Sequence, residues 1–494
     1  MAAPGTAIQP LACDTAAPYE RRRPEETTLY QVVQGHIEAF FAQVEQATGM
    51  GLPQFVKDEF EAFLECGILA HGFLRLRCGA CAHEKLVAFS CKRRGFCPAC
   101  GARRMAETAA HLVEHVIPQV PVRQWVVAFP IPLRHLFATQ PHLLSPVLQV
   151  IHRALATFVI HQAGLTHAQA QTGAVTLIQR FGSAANLNIH LHCLILDGVY
   201  RLTDGAPVFQ PVPAPTTEQL QALLTRIITR LLKVLTRHGA LMEEDTVIPY
   251  LTDPDADPAL APLHAAACTY RIALGPRAGQ KVLTWKDPAL RLASPEAPHQ
   301  GCVSAQGFSL HADTWCGPHQ RQTLERLCRY ITRPALGHKR LRRTPAGEVV
   351  LQLKTPYRDG TTHLVMSPLE FLQRLAALVP RPRLHLIRFH GVLAPHAALR
   401  PQIVPGESDQ ATVPSNETGE SPSASTRARR SWAQLLKRVF AIDITTCPQC
   451  GGPLTLLAAI EDPTVIVKIL AHLGLPTRAP PKAPGRLDAF LQTA

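Results

Sequence analysis

Residues 186–200 read NLNIHLHCLILDGVY, which places His190 and His192 one residue apart inside an apolar run. On a β-strand alternate side chains share a face, so both imidazoles point to the same side. Two imidazoles side by side suit a divalent metal ion. A chain with 23 histidines yields about one His-x-His by chance, so the surroundings must decide. The run AVTLIQR (174–180) reads as an earlier strand, and a hairpin through FGSAANL brings Gln179 toward the pair. Two imidazoles with one amide or carboxylate oxygen leave positions open for phosphate oxygens, as a catalytic Mg²⁺ or Mn²⁺ ion needs. His311, in GFSLHAD, is a rival third ligand.

A second chemical group lies in LERLCRYITRP. On a helix, Arg326 one turn before Tyr330 and Arg333 three residues after it share the tyrosine's face. Two guanidinium groups there would clamp phosphate and stabilise a phenolate. A tyrosine so placed can attack a phosphodiester and hold DNA covalently. Leu324, Leu327, Cys328 and Ile331 form the opposite, packing face, and Arg329 adds to the helix's basic character. Tyr357, in KTPYRDGTTH, is the runner-up nucleophile.

Cysteine chemistry completes the set. Cys78-Gly-Ala-Cys81 and Cys97-Pro-Ala-Cys100 have the spacing of two zinc knuckles, so these four thiolates are expected to share one structural zinc ion. Cys91, between the pairs, reads as a spare apolar residue. Arg93, Arg94, Arg103 and Arg104 flank the knuckles and suit phosphate contact. A third pair, Cys447-Pro-Gln-Cys450-Gly-Gly, looks like half a zinc ribbon. No second pair follows it, and Cys13, Cys66 or His472 are the helpers that remain.

The elements that must position these groups alternate along the chain. Apolar periodicity predicts helices over 27–47, after Pro53, and over about 105–116, 143–163, 216–237 and 320–332, with another in SPLEFLQRLAALV. Strands are expected at WVVAFPIP, AVTLIQR, NIHLHCLIL and TYRIAL. Hairpins are expected at two Asp-Gly turns, in VYRLTDGAPVFQPV and VVLQLKTPYRDGTTHLVM. Strands interspersed with helices and hairpins favour an α+β fold on an antiparallel sheet. The expected order is a helical segment (1–70), a four-cysteine domain (71–104), a main domain (120–400), a linker (401–430) and a small module (431–494).

Totals narrow the class. A net charge of +13 and a pI near 9.3 call for an acidic partner, nucleic acid before an anionic membrane surface. Residues 71–104 and 318–343 each carry eight Lys/Arg against one acid. No unbroken run of 18 apolar residues appears, and the N-terminus lacks a secretory pattern. The expectation is a cytoplasmic, nucleic-acid-associated protein without a membrane partner, its C-x-x-C pairs binding metal rather than forming disulfides. No G-x-x-x-x-G-K-[ST] loop for ATP is found.

In order, CGAC…CPAC, QRFGSAANLNIHLHCLILDGVY, LCRYITRPAL and TPYRDGTTHLVMSPLEFLQRLAALVPRPRLHLIRFHGVLAP resemble the transposases of the insertion-sequence-91 type, over roughly 55–400. The resemblance implies an HUH-type antiparallel sheet flanked by helices, and a rolling-circle endonuclease acting on single-stranded or hairpin DNA ends. It makes His190 and His192 the metal ligands, Leu191 the residue between, and Tyr330 the nucleophile of a 5′-phosphotyrosine link. Some members carry two tyrosines four residues apart; here that earlier position is Arg326, so the chain resembles the single-tyrosine type. A replication initiator or relaxase, and a zinc-dependent DNA-binding protein without nuclease activity, are the rival readings.

Overall fold

The runs VRQWVVA, GAVTLIQRF and LNIHLHCLIL are apolar almost without alternation, the pattern of strands covered on both faces. In the computed structural model, which describes residues 17–18, 22–241, 257–287, 301–405 and 442–484, these runs are strands at the centre of one sheet. The chain divides into two compact units. The larger takes in Glu26–Leu64 and Lys92–Ala411, the smaller Glu65–Cys91 and Thr412–Pro480.

In the larger unit the elements used below are, in chain order, α1 (Pro98–His115), β1 (Val122–Ala128), α2 (Leu144–Gln162), β2 (Gly173–Phe181), β3 (Leu187–Leu196), α3 (Thr217–Arg237), β4 (Phe308–His311), α4 (Arg321–Thr332), α5 (Pro368–Leu378) and β5 (Ile387–Gly391). The sheet runs β4-β1-β3-β2-β5, every pair antiparallel. Cys302–Ala305 extends the β4 edge, and Trp315–Cys316 pairs with β1. The fold is thus the expected α+β arrangement of antiparallel strands and flanking helices. Val175, Leu177 and Leu194 on one sheet face pack with Leu112 of α1 and Leu324, Cys328 and Ile331 of α4. Each leucine or isoleucine buried there stabilises the fold by about 1.5–3 kcal/mol. On the other face Trp125 of β1 meets Phe158 of α2 edge-on, with centroids 5.7 Å apart, and α2 packs against α3.

Local signals set the ends of these elements. Thr216 with Gln219 and Ser367 with Glu370 form reciprocal capping boxes at the starts of α3 and α5. The first expected hairpin forms between Gly198–Thr203 and Ala206–Pro211, with Asp204 at φ 52° and Gly205 at φ 81° supplying the left-handed turn. The second lies in a small sheet built from Leu283–Lys286, Leu341–Arg343, Val349–Gln352 and Thr361–Met366. Two expectations shift. The helix predicted from about 105 begins at Pro98, because proline at its first position is already set for helical φ. TYRIAL yields only an isolated bridge between Arg271 and Lys281. One stretch, Pro141–Gln162, is long and apolar enough to cross a membrane by length and composition; half of it is buried in the protein, where α2 lies against α3. Most of the expected 401–430 linker falls outside the described residues.

The smaller unit is a three-stranded antiparallel sheet in the order Leu454–Ile460, Phe73–Cys78, Glu84–Ala88. Leu454 pairs with Cys78 and Ile460 with Phe73. Asp462 caps the following helix, Pro463–His472, whose Ile466 and Leu470 bury against Leu69 and Phe73. The C-terminal stretch expected as a separate module therefore shares its sheet and core with the first C-x-x-C pair.

Candidate functional site

The two histidines stand on β3, the strand covered by neighbours on both sides. In the register Gln179 of β2 pairs with His190, and Val126 of β1 with His192. The Nε2 atoms of His190 and His192 lie 3.1 Å apart. Two nitrogens bound at about 2.1 Å to adjacent corners of an octahedral ion would be about 3 Å apart, so the spacing fits one divalent cation. Each outer nitrogen is held. Nδ1 of His190 is 2.9 Å from the Asn188 carbonyl oxygen, and Nδ1 of His192 is 2.8 Å from the Gln124 amide. At His190, donating Nδ1–H to the carbonyl leaves the Nε2 lone pair for metal, a common outer-shell arrangement around metal-bound histidine. At His192 the atom against Nδ1 is the donor Gln124 Nε2, so metal binding there requires the Gln124 amide turned to present its oxygen. Burial, opposed by the hydrogen bond to Asn188, pushes His190 down. Burial, then His190 and Arg333, hold His192 at about 3. Both rings are therefore neutral at pH 7, the form that binds metal.

Among the described residues no third imidazole, thiol or carboxylate gathers at this pair. Gln179, the expected third ligand, is buried beside His190, and its Nε2 donates to the Ile331 carbonyl at 2.7 Å. The amide thus ties the sheet to α4, with its oxygen left over. His311 lies two strands away from β3, paired with Val126 of β1.

Tyr330 sits on the solvent side of α4, 49% exposed, while Leu324, Cys328 and Ile331 bury the other side and Leu327 packs at its edge. The helix is anchored at both ends. Arg321 donates to the carbonyls of Val113, Ile117 and Pro118 at the end of α1. Near the other end Gly101 of α1 lets Pro334 approach so closely that a Cβ there would lie 2.6 Å from the proline's own. Arg333 stacks 4.1 Å from the Tyr330 ring centroid, and Lys354 lies 4.6 Å from it. Arg333 was anticipated. Lys354 was not, because it reaches the ring from the small sheet, after Val349–Gln352. Burial, then Arg333, push its ammonium down. Arg326 stands exposed on α4, and Arg329 is half-buried with its Nε unpaired. Tyr357 is half-buried beside Tyr270, and burial above all pushes its phenol up to about 12, which disfavours it as a nucleophile.

With this geometry in place, comparison with known proteins decides the family. Residues 32–129 match the transposase zinc-binding domain of the insertion-sequence-91 type, and residues 173–400 match the transposase family Y2_Tnp. The chain belongs to the insertion-sequence-91-type transposases. No curated protein and no solved structure matches it.

The transposase carries a cavity of about 310 Å³ beside the site, lined by Arg93, Arg94, Arg104, Gln179, Arg180 and Arg333. The four arginines expected to meet phosphate have different local duties. Arg94 donates to the Leu384 and Arg381 carbonyls, and Arg104 to those of Lys92 and Arg93. Arg93 pairs with Asp58 at 3.8 Å and Arg103 with Glu107 at 2.8 Å; both pairs are partly exposed, weak and free to exchange partners.

The expected four-cysteine grouping requires correction. In the smaller unit Cys78 and Cys81 meet Cys447 and Cys450, not Cys97 and Cys100. The four sulfur atoms lie within 4.8 Å of one another, with Cys78 to Cys450 at 3.4 Å and Cys81 to Cys447 at 3.6 Å. The backbone N–H groups of Cys81 and Ala80 hold the Cys78 thiol down to about 6. Cys81, although the His83 N–H lowers it, is pushed up to about 12 by Cys450, by burial and by Cys447 and Cys78, so the thiols resist ionising together without a cation. Cys97 and Cys100 belong to the larger unit, buried at the start of α1. The backbone N–H of Cys91 donates to Cys66 Sγ at 3.4 Å. No local sequence cue separates the two groupings, since Cys97-Pro-Ala-Cys100-Gly101 and Cys447-Pro-Gln-Cys450-Gly451 share the same proline and glycine.

Proposed function

We propose that this transposase nicks and rejoins single-stranded DNA at element ends through a 5′-phosphotyrosine on Tyr330, in a rolling-circle route. The observation that carries the reading is the convergence of the His190 and His192 Nε2 atoms on the strand that Gln179 ties to the tyrosine helix. His190 and His192 would hold Mg²⁺ or Mn²⁺, with Gln179 the candidate for a further oxygen ligand. Bound there, the ion would supply Lewis-acid polarisation of the scissile phosphate.

The remaining work falls to the chain. Arg333 and Lys354, over the Tyr330 ring, stabilise the phenolate and the phosphate that approaches it. As the tyrosine gives up its proton, its oxygen bonds to phosphorus and the bond to the 3′-oxygen breaks. The 3′-oxygen takes a proton and leaves as a free hydroxyl able to prime synthesis. Attack of a 3′-hydroxyl on the phosphotyrosine reverses the chemistry and rejoins a strand. Arg326, Arg329, Arg93 and Arg103 present positive charge for the DNA backbone, while Arg94 and Arg104 shape the cavity wall.

The test pairs wild type with Tyr330→Phe, each incubated with Mn²⁺ and labelled single-stranded DNA from both element ends, and read on a denaturing gel. A covalent band present in wild type and absent from the variant is expected. A band that survives the substitution moves the nucleophile elsewhere. No band from wild type, with DNA binding intact, favours a binding protein without nuclease activity.

A further inference from the structure

The thiols of Cys78, Cys81, Cys447 and Cys450 come from two loops of the same build. In each, the first cysteine donates its N–H to the carbonyl five residues on, Cys78 to His83 and Cys447 to Gly452, both at 2.8 Å. In each, the residue four places on donates back to that cysteine's carbonyl, Ala82 at 3.1 Å and Gly451 at 3.0 Å. Both of those residues are left-handed, at φ 58° and 72°. Such a turn aims two sulfur atoms at one point, as a zinc knuckle does. Cys97 and Cys100 have no such loop: Gly101 donates to the Cys97 carbonyl at 2.9 Å as part of the first turn of α1.

The two loops face each other because the strands that carry them pair. Cys78 ends one strand and its register partner Leu454 starts the next. Gly452 permits the close approach, since a Cβ there would lie 3.1 Å from Cys78 Sγ and 3.3 Å from Cys450 Sγ. Four sulfurs at about 2.3 Å from a tetrahedral zinc stand about 3.8 Å apart. The cross-loop distances of 3.4 and 3.6 Å are close to that edge.

We propose that these four cysteines bind one zinc ion, so that a metal of the N-terminal region is completed by residues 366 and 372 positions away. The ion clasps the strand Leu454–Ile460 and the helix Pro463–His472 onto Phe73–Cys78. A chain that ended before Cys447 would lose the metal and expose the apolar surface of Leu69 and Phe73.

The experiment counts zinc per full-length chain by elemental mass spectrometry. It compares wild type, Cys78→Ser/Cys81→Ser, Cys447→Ser/Cys450→Ser and the quadruple variant. Each double variant should lose the same one equivalent, and the quadruple variant no more than that. A C-terminal variant that keeps the wild-type count, or a quadruple variant that loses two equivalents, overturns the shared site. Because serine substitutions can prevent folding, Cys450→His serves as a ligand-preserving control, read in the cobalt-substituted protein. Its absorption should shift from a four-sulfur to a three-sulfur, one-nitrogen spectrum, and an unshifted spectrum would exclude Cys450 as a ligand.

Discussion

The imidazole pair of the larger unit and the thiol cluster of the smaller one are both shaped for a cation, yet they are assembled in opposite ways. His190 and His192 are neighbours on one strand, so the backbone of that strand alone brings their Nε2 atoms to 3.1 Å. The four thiols sit on two loops that meet only because strands far apart in sequence pair edge to edge. A site of the first kind can form before any metal arrives. A site of the second kind depends on closing a very long loop, and a bound ion stabilises that closure.

The largest expected contrast is the response to metal removal. Structural zinc contributes about 10–16 kcal/mol in small domains, so a strong chelator should strip hydrogen-exchange protection from Leu454–Ile460. The β3 amides, buried in a sheet with its own core, should keep theirs. Loss of protection in β3 with Leu454–Ile460 unchanged would invert the comparison.

Next in size, His192→Ala should reduce Mn²⁺-dependent nicking by about a thousandfold or more, the several kcal/mol that a metal ion lends a transition state. Its circular dichroism and melting should stay close to wild type if the strand, rather than the ion, holds the site together. Gln124→Leu sharpens the same point. Removing the group that orients His192 should weaken Mn²⁺ binding by about 10–100-fold, measured by titration of nicking against metal, with the zinc count unchanged.

The smallest effect concerns a second histidine pair, His152 of α2 stacked on His390 of β5 with centroids 4.3 Å apart. Burial, then His390, hold His152 at about 3; burial, then Arg388, hold His390 at about 4. Both values lie below that of an unfolded histidine, so the unfolded chain takes up protons first as pH falls. The pair's contribution is complete above about pH 6.5 and is lost toward pH 4, at up to about 1.4 kcal/mol per pH unit for each ring. Urea unfolding of full-length protein between pH 7.5 and 5 should show that decline, and His390→Gln should flatten it. An unchanged slope in the variant would remove the pair from the account.

Much of the larger unit could be read in advance where the information was local. The hairpin through FGSAANL brought Gln179 near the histidines as expected, the structure fixing the register that its seven-residue loop left open, and the apolar stripe of α4 left Tyr330 facing outward. Gln124 went unnoticed because the strand was expected to begin at Trp125. A polar side chain inside the buried run Val122–Ala128 was the available clue. Lys354 was missed for a different reason: nothing in its own hairpin reports that the turn reaches back to α4.

By itself the sequence determined which side chains share a face, since strands repeat every two residues and helices every 3.6. That sufficed for the histidine pair and the tyrosine helix. Only the tertiary structure decided the partners. It gave Cys78 and Cys81 to Cys447 and Cys450, brought Gln124 to His192 and set Lys354 over Tyr330. The physical reason is that identical C-x-x-C spacings close different rings according to the backbone that follows them. Pro98 starts a helix where Ala82 and Gly451 turn back into sheet, and which sheet edge is then met depends on strand pairing across the whole chain.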